Sequence, residues 1–318
     1  MPNPTVNSVH LDAVLTNMSV AYMQDANNFI ADKVFPVVPV SKQSDVYYTY
    51  SKADFLRDEF KKVADGAASP EAGYNLSTGT YYCDVWKLSH VIGDQRRANS
   101  DNPLDPDRDA VNFLTQQALI KRERQFVSDV FTTGVWGTDV TGGTGFTVWS
   151  DQSGSDPEVD IDTARETILK NTGLEPNTLV LGYQVYKALT RHPLVKEQYK
   201  YTSSDSITPQ MLAKTFDLGN IYISRAVYNS AAEGATASYG FAAGKNALLC
   251  YVAPNVGLMT PTAGATMSWT GMGGNSVGVY RYDLRGMGRP ADKIELAMAY
   301  DNKVISTDLG YFFSGAVA

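Results

Sequence analysis

The segment 106–133 constrains the fold more than any other part of the sequence, because nothing inside it breaks a helix. Asp105 suits the cap position, Pro106 suits the first helical position, and Asp107 and Asp109 lie where the helix dipole favours acids. A glycine follows the segment and marks its end. A helix of about 28 residues would be about 42 Å long, whereas the mean globular helix has roughly 11–12 residues. We therefore predict a long spine helix at about 106–133.

One face of this predicted helix is apolar, and it is interrupted by the charged run Lys121-Arg122-Glu123-Arg124. This pattern is typical of a long helix that lies across a domain and buries a stripe against it. The residues of the stripe are Val111, Leu114, Ala118, Phe126, Val130 and Phe131.

Before the spine helix, residues 45–92 alternate with period two in two halves that are rich in aromatic and β-branched side chains. A charged and then Gly/Ser/Ala-rich segment separates the halves and has little to bury. We predict a long two-stranded ribbon with a mobile tip. Because an isolated hairpin is only marginally stable in water, such a ribbon needs another surface to lie on.

The N-terminal residues 1–44 combine a short amphipathic segment with an extended one. Apolar residues recur at helical spacing between Leu11 and Tyr22, which predicts a short helix. Pro36 and Pro39 then favour an extended path, because proline lacks a donor and disfavours helix in the residue before it.

The second half of the sequence predicts a compact α/β unit followed by returning strands. Helical and strand patterns alternate over about 160–262, with Asp160 as the expected cap of the first helix and Gly173 as its end, which indicates a mixed sheet. Long alternating strands then follow up to the C-terminus. They have no helix of their own nearby, so we expect them to pack against the spine helix.

Composition and charge exclude several classes of protein. A hydrophobic fraction of 43% in 318 residues indicates a globular chain with a sizeable core. No apolar run reaches the ~20 residues of a membrane span, and the N-terminus lacks the pattern of a secretory signal. Two distant cysteines fit a reducing cytoplasm. The net charge of −7 argues against specific nucleic-acid binding, which usually uses a basic patch.

Two motifs resemble catalytic or cofactor signatures but lack the required context. GNSVG around Ser276 matches a nucleophile elbow, yet strand-like residues follow it and all three histidines precede it. GMGRPA at 286–291 matches a dinucleotide pattern, but Pro290 and a strand follow, so we predict a turn between strands. No metal motif is present, and the aspartates near residue 107 are explained by the helix start. We predict no enzyme activity, no cofactor and no metal.

The order of these segments, together with several motifs, resembles the major capsid proteins of tailed bacteriophages with the HK97-like fold. The motifs are FIADKVFPVVPV, SDVYYTY, WSDQSGSDPEVDIDTA, and NTLVLGYQVYKAL followed by HP. The resemblance covers nearly the whole chain. It implies an α+β fold with an N-arm, an extended β-hairpin E-loop, a P-domain that contains the spine helix, and an α/β A-domain.

By this resemblance the chain divides into four regions. Residues 1–44 would be the N-arm and 45–97 the E-loop. The P-domain would comprise 98–159 and 263–318, and the A-domain 160–262. The implied function is a structural one, in which the chain self-assembles through pentamers and hexamers into an icosahedral shell around double-stranded DNA.

In that family, N-arms and E-loops lie over neighbouring subunits. The segment 29–52, which is rich in valine, proline and tyrosine, and the adjoining ribbon should therefore contact an adjacent subunit. Tyrosine suits such a place, because it offers a large apolar area and a hydroxyl group. The expected contact residues are Phe35, Val37, Val38, Tyr47, Tyr48, Tyr50, Phe55, Arg57 and Phe60.

The resemblance also implies partners and a location. A portal protein and possibly a decoration protein would join the shell, which would be assembled in the cytoplasm of a host bacterium and remain in the virion, without membrane contact. The chain starts almost directly with the arm, so we expect a separate scaffolding protein. Lysine–asparagine cross-links between subunits occur in some members, but the sequence does not identify the partners of Lys52, Lys61 or Lys62.

Three alternatives remain open from the sequence. An encapsulin-like shell would use the same fold to enclose an enzyme cargo. A serine hydrolase would use Ser276 and lose activity in Ser276→Ala. A monomeric binding module would use the ribbon as a recognition arm and stay a stable monomer.

Overall fold

The computed structural model describes residues 23–100, 105–199, 207–257, 259–271 and 277–318. The predicted N-terminal helix between Leu11 and Tyr22, as well as Ser276 and most of its motif, lie outside these residues. In the part of the chain that is described, no helix has both the length and the apolar character needed to span a bilayer.

Helices and strands alternate along most of the chain, and three short 3-10 turns lie at Ala26–Asn28, Arg285–Met287 and Thr307–Leu309. The α-helices are α1 (Ala31–Val34), α2 (Lys52–Phe55), α3 (Asp94–Ala98), α4 (Pro106–Val130), α5 (Pro157–Thr172), α6 (Tyr183–Arg191), α7 (Pro193–Tyr199) and α8 (Pro209–Thr215). The strands are β1 (Val37–Val40), β2 (Ser44–Tyr50), β3 (Leu76–Tyr82), β4 (Asp84–Gly93), β5 (Thr138–Thr141), β6 (Thr178–Gly182), β7 (Asn220–Ser224), β8 (Val227–Asn229), β9 (Tyr239–Phe241), β10 (Ala247–Cys250), β11 (Gly264–Trp269), β12 (Gly278–Asp283), β13 (Ala291–Val304) and β14 (Gly310–Ser314).

The first sheet is built around β13. Strand β4 pairs antiparallel with β13 on one side, and β12 and β11 pair antiparallel with it on the other, while β1 adds to β11 in parallel. The spine helix α4 lies on one face of this sheet, as the sequence predicts. The buried residues that join helix and sheet are Ala110, Leu114, Ala118, Ile92, Ile294, Leu296, Met298 and Tyr300.

The second sheet is mixed and has the order β5-β14-β10-β6-β7. Strands β6 and β7 are parallel, as are β5 and β14, whereas β10 is antiparallel to both of its neighbours. Strands β6 and β10 are buried throughout, which their uninterrupted apolar sequences predict. The prediction that all C-terminal strands pack on the spine helix is wrong for β14, because this strand completes the second sheet instead.

The spine helix begins as predicted and ends slightly earlier. The Asp105 carboxylate accepts hydrogen bonds from the backbone N–H groups of Asp107 and Arg108, and Pro106 occupies the first turn. The helix ends at Val130 rather than near residue 133. Glu123, in the charged run that was expected to interrupt the buried stripe, is itself buried. Its partners, described below, explain why.

The two-stranded ribbon is shorter than predicted. Strand β2 pairs with β3 from Ser44 opposite Tyr82 to Tyr50 opposite Leu76, and the segment between them forms the tip. The predicted continuation through residues 84–92 is wrong, because β4 leaves the ribbon and pairs with β13. Alternation with period two is the same in a ribbon and in an antiparallel sheet, so the pattern alone did not reveal the change of partner.

The capping residue of α5 also differs from the prediction. Asp156 accepts hydrogen bonds from the N–H groups of Glu158 and Val159, with Pro157 in the first turn. Asp160 lies within the helix instead and accepts a hydrogen bond of 2.8 Å from Trp149 Nε1. Gly173 ends the helix in a left-handed conformation with φ of 73°, as expected.

Candidate inter-subunit surface

The predicted contact residues range from buried to exposed, and Phe35 is the buried one. Its side chain is fully buried, and its ring lies edge-on against that of Phe126 with centroids 5.3 Å apart. A glycine at position 264 makes room for it, since a Cβ there would lie 2.4 Å from the Phe35 ring. Phe35 therefore holds the chain's own core together, and we remove it from the expected contact set.

The segment before Phe35 is held by a buried carboxylate on the spine helix. Glu123 Oε2 accepts hydrogen bonds from the N–H groups of Ile30 (2.8 Å) and Ala31 (3.0 Å), and Oε1 accepts one of 2.7 Å from Ser224 Oγ. Burial raises the pKa of Glu123, and these hydrogen bonds partly offset the shift because they favour the charged form. The carboxylate thus links the start of α1, the spine helix and the end of β7.

The valine- and proline-rich residues Val37–Val40 form strand β1 within a sheet of their own chain. It pairs with β11, and Val38 packs against the small cluster formed by Tyr81, Cys83 and Met267. Val37 remains 40% exposed. Pro39 fits this position, because β1 is at the edge of its sheet among the described residues and an edge strand tolerates a missing donor.

The ribbon presents one inward and one outward face. The Tyr47 ring lies directly over Gly79 on the opposite strand, and Tyr47 packs against the same cluster as Val38. Tyr48 points the other way and is 56% exposed. Apolar side chains that are exposed by more than a third along the two strands are Val46, Tyr48, Leu76 and Tyr82.

At the outer end of the ribbon three aromatic rings gather. The centroids of Tyr50, Phe55 and Tyr74 are 5.7 to 5.9 Å apart, a separation typical of attractive aromatic pairs. Asp54 accepts hydrogen bonds from both the backbone N–H and the side-chain amide of Asn75. The backbone hydrogen bond in particular holds the pKa of Asp54 below its ordinary value.

Beyond this aromatic cluster the tip exposes Phe60. Its side chain is 99% exposed, while Arg57 next to it pairs with Asp54 and Glu59. An aromatic side chain exposed to this degree gains nothing from its own fold. The sequence placed Tyr48, Phe55, Arg57 and Phe60 in the contact set, and all four are exposed in the chain; whether they touch a neighbour stays a prediction.

A cleft beside the outer half of the ribbon was not predicted. It has a volume of about 630 Å³ and lies between the ribbon and the body of the protein. Lys52 and Asp308 form an ion pair that joins the two sides. Leu174, Met259 and Ile305 line the body side and come from three distant parts of the chain, so no sequence motif could have brought them together.

A cluster of arginines and aspartates lies where the hairpin β12–β13 meets α3 and α4. The Asp292 carboxylate, almost inaccessible to solvent, is within 3.0 Å of Arg97, Arg281 and Arg285. The hydrogen bond from Arg281 is the main reason that the pKa of Asp292 is lowered. The turn predicted at 286–291 is present here as the 3-10 turn and a left-handed glycine.

The described residues do not form a catalytic arrangement. His192 is buried and its Nε2 lies 3.1 Å from Ser155 Oγ, and His90 contacts the ring of Phe113. Within the described ranges, no group of three or more His, Cys, Asp or Glu side chains could hold a metal ion.

Comparisons of the sequence with known proteins find similarity to phage major capsid proteins. The model of the family "Phage major capsid protein E" matches residues 140–266. Major capsid proteins of Burkholderia phage BcepMu and Pseudomonas phage JBD67 are 25% and 27% identical over 315 and 311 residues, and the alignments cover 96% and 97% of both chains.

Solved structures agree with the sequence relatives. A phage-related protein from Bordetella bronchiseptica has a TM-score of 0.68 at 24% identity, covering 92% of this chain and 94% of its own. The capsid structure of cyanophage P-SCSP1u has a TM-score of 0.63 at 12% identity, with 98% and 95% covered.

The fold is therefore the α+β HK97-like capsid fold that the sequence predicts. The resemblance to phage major capsid proteins that was stated from the motifs is confirmed, and the function that these relatives support is that of a structural protein of the capsid shell. The encapsulin-like and hydrolase alternatives are not favoured.

Proposed function

We propose that this chain closes an icosahedral shell of pentamers and hexamers by laying its ribbon on an adjacent subunit. The exposed aromatic and apolar side chains of the ribbon and its tip are the observation that carries this proposal. Monomeric proteins rarely expose a contiguous apolar surface of this kind, because it drives association. Tyr48 and Phe60 are the residues we expect to be most important in the contact.

The proposed regions follow the sequence resemblance. Residues 1–44 serve as the N-arm, 45–97 as the E-loop, 98–159 with 263–318 as the P-domain, and 160–262 as the A-domain. Two features refine this division: β4 belongs to the main sheet, and β14 completes the sheet of the α/β region. The outer part of the E-loop that is free to reach a neighbour is therefore the hairpin of β2 and β3 with its tip.

The interior of the proposed shell holds double-stranded DNA without reading its sequence. The net charge of −7 supports this role, because a wall that binds phosphates tightly would hinder packing and release of the genome. We propose assembly in the host bacterial cytoplasm on a scaffolding protein, with a portal protein at one vertex and possible decoration proteins outside. The proposal assigns no catalysis to the chain.

Negative-stain electron microscopy tests the proposal on the full chain co-expressed with its neighbouring phage genes. We expect closed shells hundreds of ångströms across. A variant in which Gly-Ser-Gly replaces residues 57–73 removes the tip, and its ends can be joined because Phe55 and Tyr74 are in contact. This variant should give folded subunits but no shells.

The matched control changes the same tip without removing apolar contacts. Ala67→Ser together with Ala68→Ser alters two exposed residues and should leave the yield of shells unchanged. If the full chain never assembles even with a scaffold supplied, the proposed function is refuted. If shells form equally well without the tip, the function stands but the ribbon does not carry the contact.

A further inference from the structure

We infer that the cleft beside the outer half of the ribbon receives Phe60 from the ribbon tip of a second copy of this chain. The inference rests on the proposed function and makes it specific, because it assigns the tip a receiving site. Phe60 is the most exposed large apolar side chain of the described residues, and the cleft is an apolar space whose ribbon wall ends at Leu56, shortly before Phe60 in the chain.

The cleft has the chemistry and the size to take an aromatic side chain. Its ribbon wall includes Tyr50 and Phe55, and its body wall includes Leu174, Pro261 and Ile305. The volume of about 630 Å³ lies within the range of roughly 300–1,000 Å³ that is typical of binding pockets. An aromatic side chain buries about 150–250 Å² when it enters such a site, which makes it a strong anchor.

Phe60 does not fill the cleft of its own chain. Phe55 and Leu56 form part of the wall, whereas Phe60, further along the chain, is not among the lining residues and is 99% exposed. The N–H of Phe60 donates a 3.1 Å hydrogen bond to Asp58 Oδ1, and Arg57 pairs with Glu59, so a local turn directs Phe60 into solvent. Phe60 of the same copy is therefore not the occupant of this cleft.

Met259 lines the cleft and adopts an unusual backbone conformation. It is 57% exposed and has φ of 59°, a left-handed conformation that a non-glycine residue rarely adopts. Such strain often persists where a side chain is presented for binding. Methionine is also well suited to follow the shape of an incoming aromatic ring.

Charges beside the two surfaces are complementary. Lys61 and Lys62 follow Phe60 directly, and neither forms an ion pair among the described residues. Glu175 follows Leu174 at the cleft, is exposed, and likewise has no ion pair in the described ranges. An insertion of Phe60 brings the two lysines toward this carboxylate. The favourable field would guide the approach more than it would add affinity.

A second copy is the occupant that this arrangement fits best. Each copy carries one projecting Phe60 and one cleft that this Phe60 does not line, so insertion of the tip of one copy into the cleft of the next is a head-to-tail contact. Contacts of this type form closed rings when the rotation between copies closes, and a shell of pentamers and hexamers is built from such rings. One chain therefore supplies both halves of every contact.

Thiol cross-linking of assembled full-length chains tests the inference directly. Phe60→Cys and Thr260→Cys, which lines the cleft, are combined in one chain and treated with a short bismaleimide. The natural Cys83 and Cys250 are fully buried, and burial raises the pKa of the Cys83 thiol to about 11, so both should react slowly. We expect a ladder of covalent multimers, at least about tenfold more abundant than in either single variant.

Two substitutions complement the cross-linking. Phe60→Ser should lower shell yield at least about tenfold, whereas Phe60→Leu, which keeps an apolar anchor, should largely retain it. Met259→Asn should also lower the yield, because asparagine tolerates the left-handed conformation but removes the apolar contact. Urea unfolding of the unassembled subunits should be unchanged in all three variants.

The outcomes separate the inference from the proposed function. Shells without a ladder would overturn the inference and leave the function intact. A ladder without shells would support the inference and refute the shell function. Cross-linking confined to single chains would show that the tip occupies its own cleft, and equal assembly of Phe60→Ser and Phe60→Leu would show that another partner fills it; either result overturns the inference.

Discussion

Replacing Glu123 tests whether a buried carboxylate fixes the point where the N-terminal segment joins the spine helix. The carboxylate is 1% exposed, accepts three hydrogen bonds, and pairs with no cation among the described residues. Glu123→Ala removes both carboxylate oxygens and with them all three hydrogen bonds. Glu123→Gln is the matched control, because its amide oxygen can accept from Ile30 and Ala31 while its NH₂ group donates to the hydroxyl of Ser224.

The magnitude follows from the groups left without partners. Each buried N–H that loses its acceptor costs about 1–3 kcal/mol, and the Ser224 hydroxyl can turn toward another acceptor. The two N–H groups of Ile30 and Ala31 therefore set the expected loss for Glu123→Ala at about 2–6 kcal/mol in the free energy of unfolding. We expect Glu123→Gln to change that free energy by less than about 1 kcal/mol at neutral pH.

The pH dependence has a definite sign. Because the pKa of Glu123 is higher in the folded than in the unfolded protein, the folded state binds the proton more tightly. The stability that this group contributes is fully present below its unfolded pKa of about 4.5 and is lost as the pH rises through its folded pKa. The stability of Glu123→Gln relative to the natural chain should therefore increase from pH 4 to pH 7.

Urea unfolding of dilute, unassembled subunits measures these effects, with the buried residues Trp136 and Trp149 as fluorescent reporters. The two variants and the natural chain are compared at pH 4, 5.5 and 7. Equal losses in Glu123→Ala and Glu123→Gln would refute the assignment of the effect to hydrogen bonding. A difference between Glu123→Gln and the natural chain that does not vary with pH would refute the assignment to ionisation.

Two further predictions concern the core and the charged cluster. Gly310→Ala should lower the free energy of unfolding by about 1–3 kcal/mol or more, because the new methyl group would lie 2.0 Å from the Trp136 ring; urea unfolding measures the loss, and an unchanged midpoint would contradict it. Asp292→Asn should lower the melting temperature at neutral pH. Since the folded pKa of Asp292 is depressed, that difference should shrink as the pH falls below about 3.8; a constant difference down to pH 2 would contradict the reasoning.

Local signals in the sequence predicted local structure well. Asp105 and Pro106 gave the start of the spine helix, and Gly173 gave the end of α5, because capping depends on a few adjacent residues. Asp160 was the wrong cap for α5, since Asp156 with Pro157 is an equally good signal four residues earlier. Competing signals at short range are settled by where the buried face of the helix must lie.

Long-range partners were not predictable in the same way. Strand β4 alternates as regularly as the ribbon strands, yet it pairs with β13, about 200 residues later in the chain. Glu123 looked like a surface charge, because neither Ser224 nor the N–H groups of Ile30 and Ala31 could be assigned to it from their positions in the sequence. The cleft depends on three remote segments and was missed for the same reason.

The exposed members of the predicted contact set are unusual because a single folded chain normally buries its large apolar side chains. Tyr48 and Phe60 are apolar like core residues, but their side chains are exposed rather than part of a buried cluster. Phe35 has the same apolar character and was grouped with them, although its position beside the spine helix gives it a core of its own. Apolar character alone does not tell which of the two situations applies.

The energetics of one contact explain why such a chain works only in many copies. Burying one aromatic side chain yields about 1.5–3 kcal/mol, whereas association costs an estimated 4–15 kcal/mol in lost freedom of motion. A single insertion of Phe60 is therefore too weak to hold two subunits together. In a closed ring each subunit makes the contact twice, once with its tip and once with its cleft, and the last subunit to enter forms two contacts while losing its freedom once. Assembly would then depend steeply on the strength of each contact, so a moderate loss at Phe60 should abolish shells without affecting the fold.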